Sequence, residues 1–468
     1  MLGGGCASGP LAPDRAAVHA ATPSSALWPI EAWWSELGDA RLSQRIERAL
    51  QRNADLGVAA ARIREAHAIL REAGGARLPS VLLASDASRA RASTDTAPVQ
   101  GIGAMTQYSV GLEMRYEVDL WGRVGAANES ARARLGAELW ARKALAWSVS
   151  TQVAELHLGL AALERQRQIA ASVVEGRQRA LELRGVELNA GAGAEFEVRR
   201  VEVELAAAEA TLAQLHRQHL QLGTALTLLV GDGELSAFTP ALEGSSALAP
   251  RLPAGELGEF LARRPDVIQE AHLLAASTAN VKESQAARLP SLQLSGRLGS
   301  DVRELGQLFS ATGMAWALAG SLTQSLFDGG RTEARVEQAE ARVQAQRARH
   351  GQAVLKAMAE AREAMQSLEI RQQSLDASRR RVKALNRTLE LAHVSRAAGG
   401  LSRLDELDAE RQLFQAQLDE VEALRQQRLG ELAVYKALAA GPGADAPAPG
   451  AADLASLPGS SVVALSRL

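Results

Sequence analysis

Polar and apolar residues alternate without interruption over residues 108–118. One set of alternate positions is apolar or aromatic: Tyr108, Val110, Leu112, Met114, Tyr116 and Val118. The positions between them are small or charged: Ser109, Gly111, Glu113, Arg115 and Glu117. A period of two is typical of a β-strand with one apolar face. Residues 292–300 repeat the pattern, and residues 81–91 and 314–322 show it more weakly. The sequence thus predicts four strands of about ten residues, the length that crosses a bilayer in a β-barrel.

The last of these strands has a competing interpretation. Residues 305–327 carry no charged side chain and are long enough for a transmembrane helix. Seven polar residues and three glycines interrupt the segment, however. The composition therefore favours a loop followed by a strand.

Most of the remaining chain has helical spacing of its apolar residues. Four helices are expected, over about 125–190, 195–230, 331–396 and 402–439. In the second of them, apolar residues alternate steps of four and three in a register that includes His219: Val201, Leu205, Ala208, Leu212, Leu215, Leu222, Leu226 and Leu229. This heptad seam predicts packing as a coiled coil. At 1.5 Å per residue, a helix of about 65 residues is roughly 100 Å long.

Several landmarks occur twice at nearly one spacing. The stretch Ala76-Arg77-Leu78-Pro79-Ser80 returns as Ala287-Arg288-Leu289-Pro290-Ser291, 211 residues later. Gly122-Arg123 returns as Gly330-Arg331, 208 residues later. Such a series indicates an internal duplication. Each half is expected to run helix, strand, loop, strand, very long helix, short break, helix.

The duplication gives the predicted organisation of the chain. An N-terminal tether over 1–38 precedes a first repeat over 39–233. A linker over 234–255 leads to a second repeat over 256–441. The tail over 442–468 is rich in Ala, Pro and Gly, and we expect it to be disordered. The breaks between the long and short helices, Gly191-Ala192-Gly193 and Gly399-Gly400-Leu401, are expected to be hairpin tips.

Composition and motifs exclude several functions. The net charge is −2, so no basic surface indicates nucleic-acid binding. A phosphate loop, an HExxH zinc motif and a nucleophile elbow are all missing from the sequence, and we expect neither an enzyme nor a cofactor or metal site. His216 and His219 have a spacing that two metal ligands can share, but His219 lies on the heptad seam, which favours a core histidine.

Cys6 is the single cysteine, so the chain has no internal disulfide. Small residues precede it, as at a bacterial lipoprotein cleavage site, but the charged and apolar parts of a signal peptide are missing. Two interpretations follow: a shortened signal with a lipid on Cys6, or an ordinary free cysteine.

These parts together favour a conduit. Four strands cannot close a barrel, and open strand edges do not survive in lipid. Three chains would supply twelve strands, an even number that barrels adopt. The long helices would then extend from the barrel as a tube.

Five stretches carry a resemblance to a known family: residues 34–39 (WSELGD), 116–123 (YEVDLWGR), 263–267 (RRPDV), 326–331 (LFDGGR) and 404–409 (LDELDA). They resemble TolC-like outer-membrane efflux channels, in the lipoprotein (NodT-type) branch. The resemblance implies a mainly α protein with a membrane β-barrel, twelve-stranded in a homotrimer, and a coiled-coil tunnel in the periplasm. It also implies lipid anchoring in the outer membrane, a periplasmic membrane-fusion adaptor and an inner-membrane RND-type pump that exports drugs or other toxic small molecules.

The same resemblance implies roles for particular residues. The two hairpin tips would contact the adaptor, and Glu197, Asp405 and Asp408 would line the periplasmic gate. The tyrosine and arginine that latch the closed state in the family correspond roughly to Arg396 and Leu401 here, so the latch must differ. Two other functions stay open: an outer-membrane channel for protein secretion, which would have the same fold, and a soluble coiled-coil scaffold, which the alternation at 108–118 disfavours.

Overall fold

The computed structural model describes residues 30–91, 104–231, 261 and 264–437. A four-stranded sheet continues into two helices of 67 residues each. In chain order the elements are α1 (Ala40–Arg52), α2 (Ala54–Gly75), β1 (Ser80–Ala90), β2 (Met105–Val118), α3 (Arg123–Asn189), α4 (Glu195–Val230), α5 (Pro265–Ala286), β3 (Ser291–Val302), β4 (Met314–Thr323), α6 (Arg331–Ala397) and α7 (Arg403–Ala437). Short 3-10 helices lie at Ile30–Leu37, Leu305–Gln307 and Ala311–Gly313.

The strands form one antiparallel sheet in the order β1-β2-β3-β4. β2 begins at Met105, three residues before the alternation that predicted it. The uncharged stretch 305–327 holds short turns and β4, which confirms the loop-and-strand interpretation over the helix. Within the described residues, β1 and β4 each have a neighbour on one side only. The sheet of one protomer therefore has two open edges.

The register places most of the apolar positions of the four strands on one face. Leu112 lies opposite Leu83 on β1 and Leu298 on β3, and Leu298 lies opposite Trp316 on β4. On the other face Glu113 lies opposite Arg297 and Glu117 opposite Gln293. Because successive side chains of a strand point to opposite faces, the sheet has an apolar face and a polar face. We call these the lipid face and the polar face.

The helices pack as two antiparallel hairpins, α3 with α4 and α6 with α7. The predicted seam of α4 is partly or fully buried, with Val201, Ala208, Leu215 and Leu226 the least exposed. α5 lies between α3 and α6, directly below the sheet. The four predicted long helices agree with α3, α4, α6 and α7 within two residues at each described end; the end predicted at 439 lies outside the described residues.

The first helical region was expected to be one helix and is two. Asn53 separates α1 from α2: its side-chain oxygen accepts the amide of Leu56, and its side-chain nitrogen donates to the carbonyl of Leu229 at 2.9 Å. An asparagine that caps the second helix ends the first without any proline or glycine. The hydrophobic spacing on both sides gave no sign of the break.

The tryptophan-rich segment before α1 packs onto the helical body. Trp33 is 2% exposed, its indole nitrogen donates to Ser150, and its ring lies 5.8 Å from that of Trp147. The carboxylate of Asp39 caps α1 and contacts Nε2 of buried His157 at 3.0 Å. The His157 contact, with the amides of the helix start, holds the pKa of Asp39 well below its usual range. Trp28 lies outside the described residues.

Among the helices of the described ranges, none combines the length and apolar character that a membrane crossing requires.

Candidate functional site

The two strand-to-helix junctions have the same construction in both repeats. Asp119 accepts the amides of Val124 and Gly125 at the start of α3, and Asp328 accepts those of Arg331 and Thr332 at the start of α6. Gly122 and Gly330 precede the helices with φ of 73° and 81°, a left-handed conformation that favours glycine. The YEVDLWGR and LFDGGR motifs are therefore helix caps that set how each long helix leaves the sheet.

The junction also ties the two repeats together. Trp121 donates from its indole nitrogen to the carbonyl of Pro290, at 2.7 Å, in the second copy of the repeated ARLPS stretch. Farther along, Arg264 of the RRPD motif binds Asp266 with two nitrogens and Glu360 of α6 at 2.7 Å. Arg264 is 8% exposed, so this pairing fixes the start of α5 against α6.

The hairpin tips are built alike. At the first tip, Gly191 and Ala192 donate their amides to Leu188 and Glu187. At the second, Gly399 and Gly400 donate theirs to Arg396 and Ser395. Gly191 and Gly399 have φ of 73° and 78° and lie 208 residues apart, which agrees with the duplication. Both tips are small and exposed except for Leu401, which is partly buried. A partner's helices could approach them closely.

The predicted gate residues follow the hairpin tips, Asp405 and Asp408 after the second and Glu197 after the first, and each has a local partner. Asp405 and Ser402 form a reciprocal cap at the start of α7, with 2.6 Å between the Ser402 hydroxyl and the Asp405 carboxylate. Asp408 pairs with Arg411 at 2.6 Å. Both aspartates are exposed in the protomer. Glu197, at the matching site of the first repeat, is partly buried and pairs with Arg200 at 2.8 Å.

Sequence reasoning missed the most buried carboxylate in this region, Glu406, whose side chain is 0% exposed. It contacts His393 and Arg403, and Arg396 donates to it at 2.6 Å. Burial alone raises the pKa of Glu406, but its bonds to Arg403 and His393 and the charge of Arg396 hold that pKa below its ordinary value. Arg396, noted above as a departure from the family latch, thus binds within its own hairpin.

The ion pairs continue from this hairpin to the other one. Arg403 lies 3.6 Å from Glu410, and Glu410 accepts from Arg177 of α3 at 2.7 Å. Arg177 also pairs with Glu204 of α4 at 3.3 Å. We call this chain of contacts the tip network. The ligand atoms of His393, Glu406 and Glu410 lie within 4.8 Å of one another, as in a metal site, but the arginines already bind these carboxylates. The cluster is an ion network.

A sheet with one apolar and one polar face, continued by two helices of 67 residues that each pair with a shorter helix, is the architecture of an outer-membrane channel protein. The chain belongs to the family described as outer membrane efflux protein, which it matches over residues 45–232 and 257–440. It is 30% identical to the pyoverdine export outer membrane protein OpmQ of Pseudomonas putida, over 90% of each chain. It is 25% identical to the probable outer membrane lipoprotein SilC of Salmonella typhimurium, again over 90% of each.

The structure is also similar to that of the outer-membrane channel OprN. The TM-score is 0.80 at 30% sequence identity, and the match covers 87% of this chain and 92% of OprN. This likeness confirms the predicted fold class, a helical tunnel combined with a membrane barrel. The protein is located in the outer membrane, and its helices extend into the periplasm.

Proposed function

We propose that the chain forms, as a homotrimer, the passive exit duct of a tripartite efflux pump for drugs or other toxic small molecules. The observation that carries this proposal is the sheet with two open edges at the head of the long helices. Three copies would pair every edge, β4 of one chain with β1 of the next, and close twelve strands. Apolar side chains left exposed along the helices of one protomer support such contacts: Leu183, Val186, Val203, Leu228, Leu355 and Ile370.

The partners in this proposal are a periplasmic adaptor at the tips and an inner-membrane RND-type pump. OpmQ, by its name, serves pyoverdine export, and small-molecule efflux is the corresponding role here. Deleting the gene in its host should increase accumulation of a fluorescent efflux substrate such as ethidium, and a plasmid copy should restore export. Unchanged accumulation of ethidium and of a panel of antibiotics in the deletion strain would contradict the efflux role.

The aperture is proposed to lie where Asp405 and Asp408 come together around the trimer axis, with Glu197 nearby. Crowded carboxylates attract cations, so we expect a narrow, cation-selective aperture. The double variant Asp405→Ala with Asp408→Ala should raise single-channel conductance in planar bilayers and weaken block by multivalent cations. The double variant also removes a helix cap and the partner of Arg411. Glu390→Ala, which removes an exposed carboxylate from α6, serves as a control. Wild-type conductance and block in the double variant would place the gate elsewhere.

The tips Gly191, Ala192, Gly193, Gly399, Gly400 and Leu401 are proposed to dock the adaptor. A Cβ at Gly400 would already lie 3.1 Å from the Ser395 hydroxyl, so a large side chain must project outward. Gly400→Trp should abolish crosslinking to the adaptor while trimer yield is unchanged. Gly351→Trp places the same bulk in the middle of α6, where an added Cβ meets nothing within 4 Å, and should crosslink normally. Normal crosslinking of Gly400→Trp would move the contact away from the tip.

Cys6 is the proposed site of lipid attachment and lies outside the described residues. The likeness to SilC, named as a probable lipoprotein, supports this assignment. When the chain is expressed behind a complete lipoprotein signal peptide, labelled palmitate should enter the wild-type protein and should not enter Cys6→Ser. Equal labelling of the two proteins would leave Cys6 an ordinary cysteine.

A further inference from the structure

A groove crosses α5 just below the sheet, where the long helices begin. It is a cavity of about 490 Å³ between α3, α5 and α6. Four of its lining side chains are arginines: Arg123 and Arg134 on α3, and Arg335 and Arg342 on α6. We call it the arginine groove. No motif or heptad position in the sequence brings these residues together, because they come from both repeats.

The arginine groove lies on one side of α5 only. Asn280, Glu283, Ser284 and Ala287 line it, and their spacing of three and four places them on a single helix face. A second groove, lined by Lys282, Gln285 and Ala286 of α5 together with Trp121, lies on the opposite face. At 100° per residue, the centres of these two sets are about 160° apart around the helix.

A hydrogen-bonded pair shows which side is the lumen. Glu117 projects from the polar face of β2, and its carboxylate accepts from two nitrogens of Arg123, at 2.8 and 2.7 Å. The arginine groove is therefore continuous with the polar face of the sheet. Because the apolar face must meet lipid, the polar face and the groove meet the water-filled lumen. This step rests on the proposed channel function.

The groove has more positive than negative charge. Arg123 is paired with Glu117, but Arg134, Arg335 and Arg342 form no ion pair with any carboxylate in the described part of the chain. All three are exposed in the protomer, and Glu283 is the one acidic residue that lines the groove with them. Three copies around a narrow lumen would form a ring of cationic grooves. The low-dielectric protein walls would concentrate the positive electrostatic field of these arginines in the lumen.

We infer that the arginine groove is a lumenal binding site for anionic molecules that carry carboxylate or phosphate groups. Guanidinium groups suit these ligands because their planar donors match two acceptor oxygens at once. The helices beside α5 supply donors from both sides, and Gln338 and Asn280 add neutral ones. Anions that pass through the channel would gather at the junction between tunnel and barrel, far from the acidic aperture.

Ionic current through purified wild-type trimers in planar bilayers tests this inference. Tripolyphosphate is added on the side of the extracellular loops, so that it reaches the groove without passing the aperture. In Arg335→Gln with Arg342→Gln, the concentration for half block should rise about tenfold, and the reversal potential in a KCl gradient should move toward cation selectivity. Arg134→Gln, on a different helix, should change both quantities in the same direction.

The control variant Arg77→Gln with Lys282→Gln removes equal charge from the opposite groove and should block as wild type does. Equal half-block concentrations in wild type and both groove variants would overturn the inference, as would the same change in the control. In those cases the wild-type current still supports the channel. A wild-type protein that carries no current would instead overturn the channel function, and the lumenal site with it.

Discussion

Leu112→Arg should prevent most of the protein from assembling into trimers. Leu112 lies near the middle of β2, in a row with Leu83 and Leu298 on the lipid face, and is 49% exposed in the protomer. An arginine at the midplane of a barrel's lipid face costs about 2–4 kcal/mol, and every chain of the trimer would carry it. The measurement is the yield of trimer after membrane extraction and size-exclusion chromatography, relative to wild type.

Two controls test whether the effect of Leu112→Arg comes from its position on the lipid face or from a change of charge anywhere on the strand. Ser109→Arg puts the same side chain on the polar face, opposite Asp86 on β1 and Asp301 on β3, where opposite charges favour it. Glu113→Gln removes a charge from that face. Both should assemble at close to the wild-type yield. If Leu112→Arg assembles normally and Ser109→Arg does not, the two faces of the sheet are assigned the wrong way round.

The sheet and the long helices could be predicted because their signals are local and repeat many times. An alternation over eleven residues or a heptad seam of nine positions indicates directly which side chains face an apolar environment and which face a polar one. The cross-strand partners could not be predicted in this way. Nothing local to Leu112 indicates that Leu298 lies beside it, since that pairing depends on how the two repeats meet. The break at Asn53 was missed for a similar reason, because part of what holds it is a carbonyl on α4.

The tip network was missed because its residues resemble a solvated helix surface. Glu406 lies between Asp405 and Asp408, the predicted gate residues, and a glutamate among charged neighbours is normally exposed. Its burial becomes evident only when α6 turns back at Gly399 and brings Arg396 and His393 against it. The arginine groove could not be predicted from the sequence for a similar reason, since its arginines on α3 lie more than 200 residues from those on α6.

Glu406→Ala should loosen the second hairpin tip. The carboxylate of Glu406 is fully buried, and its loss leaves Arg396 and Arg403 facing each other without their common partner. Removing one member of a buried pair costs about 3–5 kcal/mol. The side chains of Arg396 and Arg403 are 44% and 27% exposed, however, so water replaces part of the lost interaction. We therefore expect about 1.5–3 kcal/mol, the range of hydrogen bonds to charged groups.

Hydrogen exchange of the amides around the tip measures this loss. Exchange at residues 398–407 should become roughly tenfold faster or more in Glu406→Ala, since each 1.36 kcal/mol is a factor of ten. Glu390→Ala removes the exposed carboxylate that pairs with Arg387, both on α6, and exposed pairs of this kind contribute little to stability. Exchange at the tip should stay at the wild-type rate in that variant. Equal rates in Glu406→Ala and Glu390→Ala would show that the buried carboxylate does not hold the tip.

The pH dependence of hydrogen exchange at the tip is a separate test of the role of Glu406. The pKa of Glu406 is lower in the folded protein than its ordinary value of 4.5, so ionised Glu406 stabilises the tip fully above that value. The stabilisation is lost as the pH falls below 4.5 toward the folded-state pKa. The difference in tip exchange between wild type and Glu406→Ala should thus shrink as the pH falls below about 4.5.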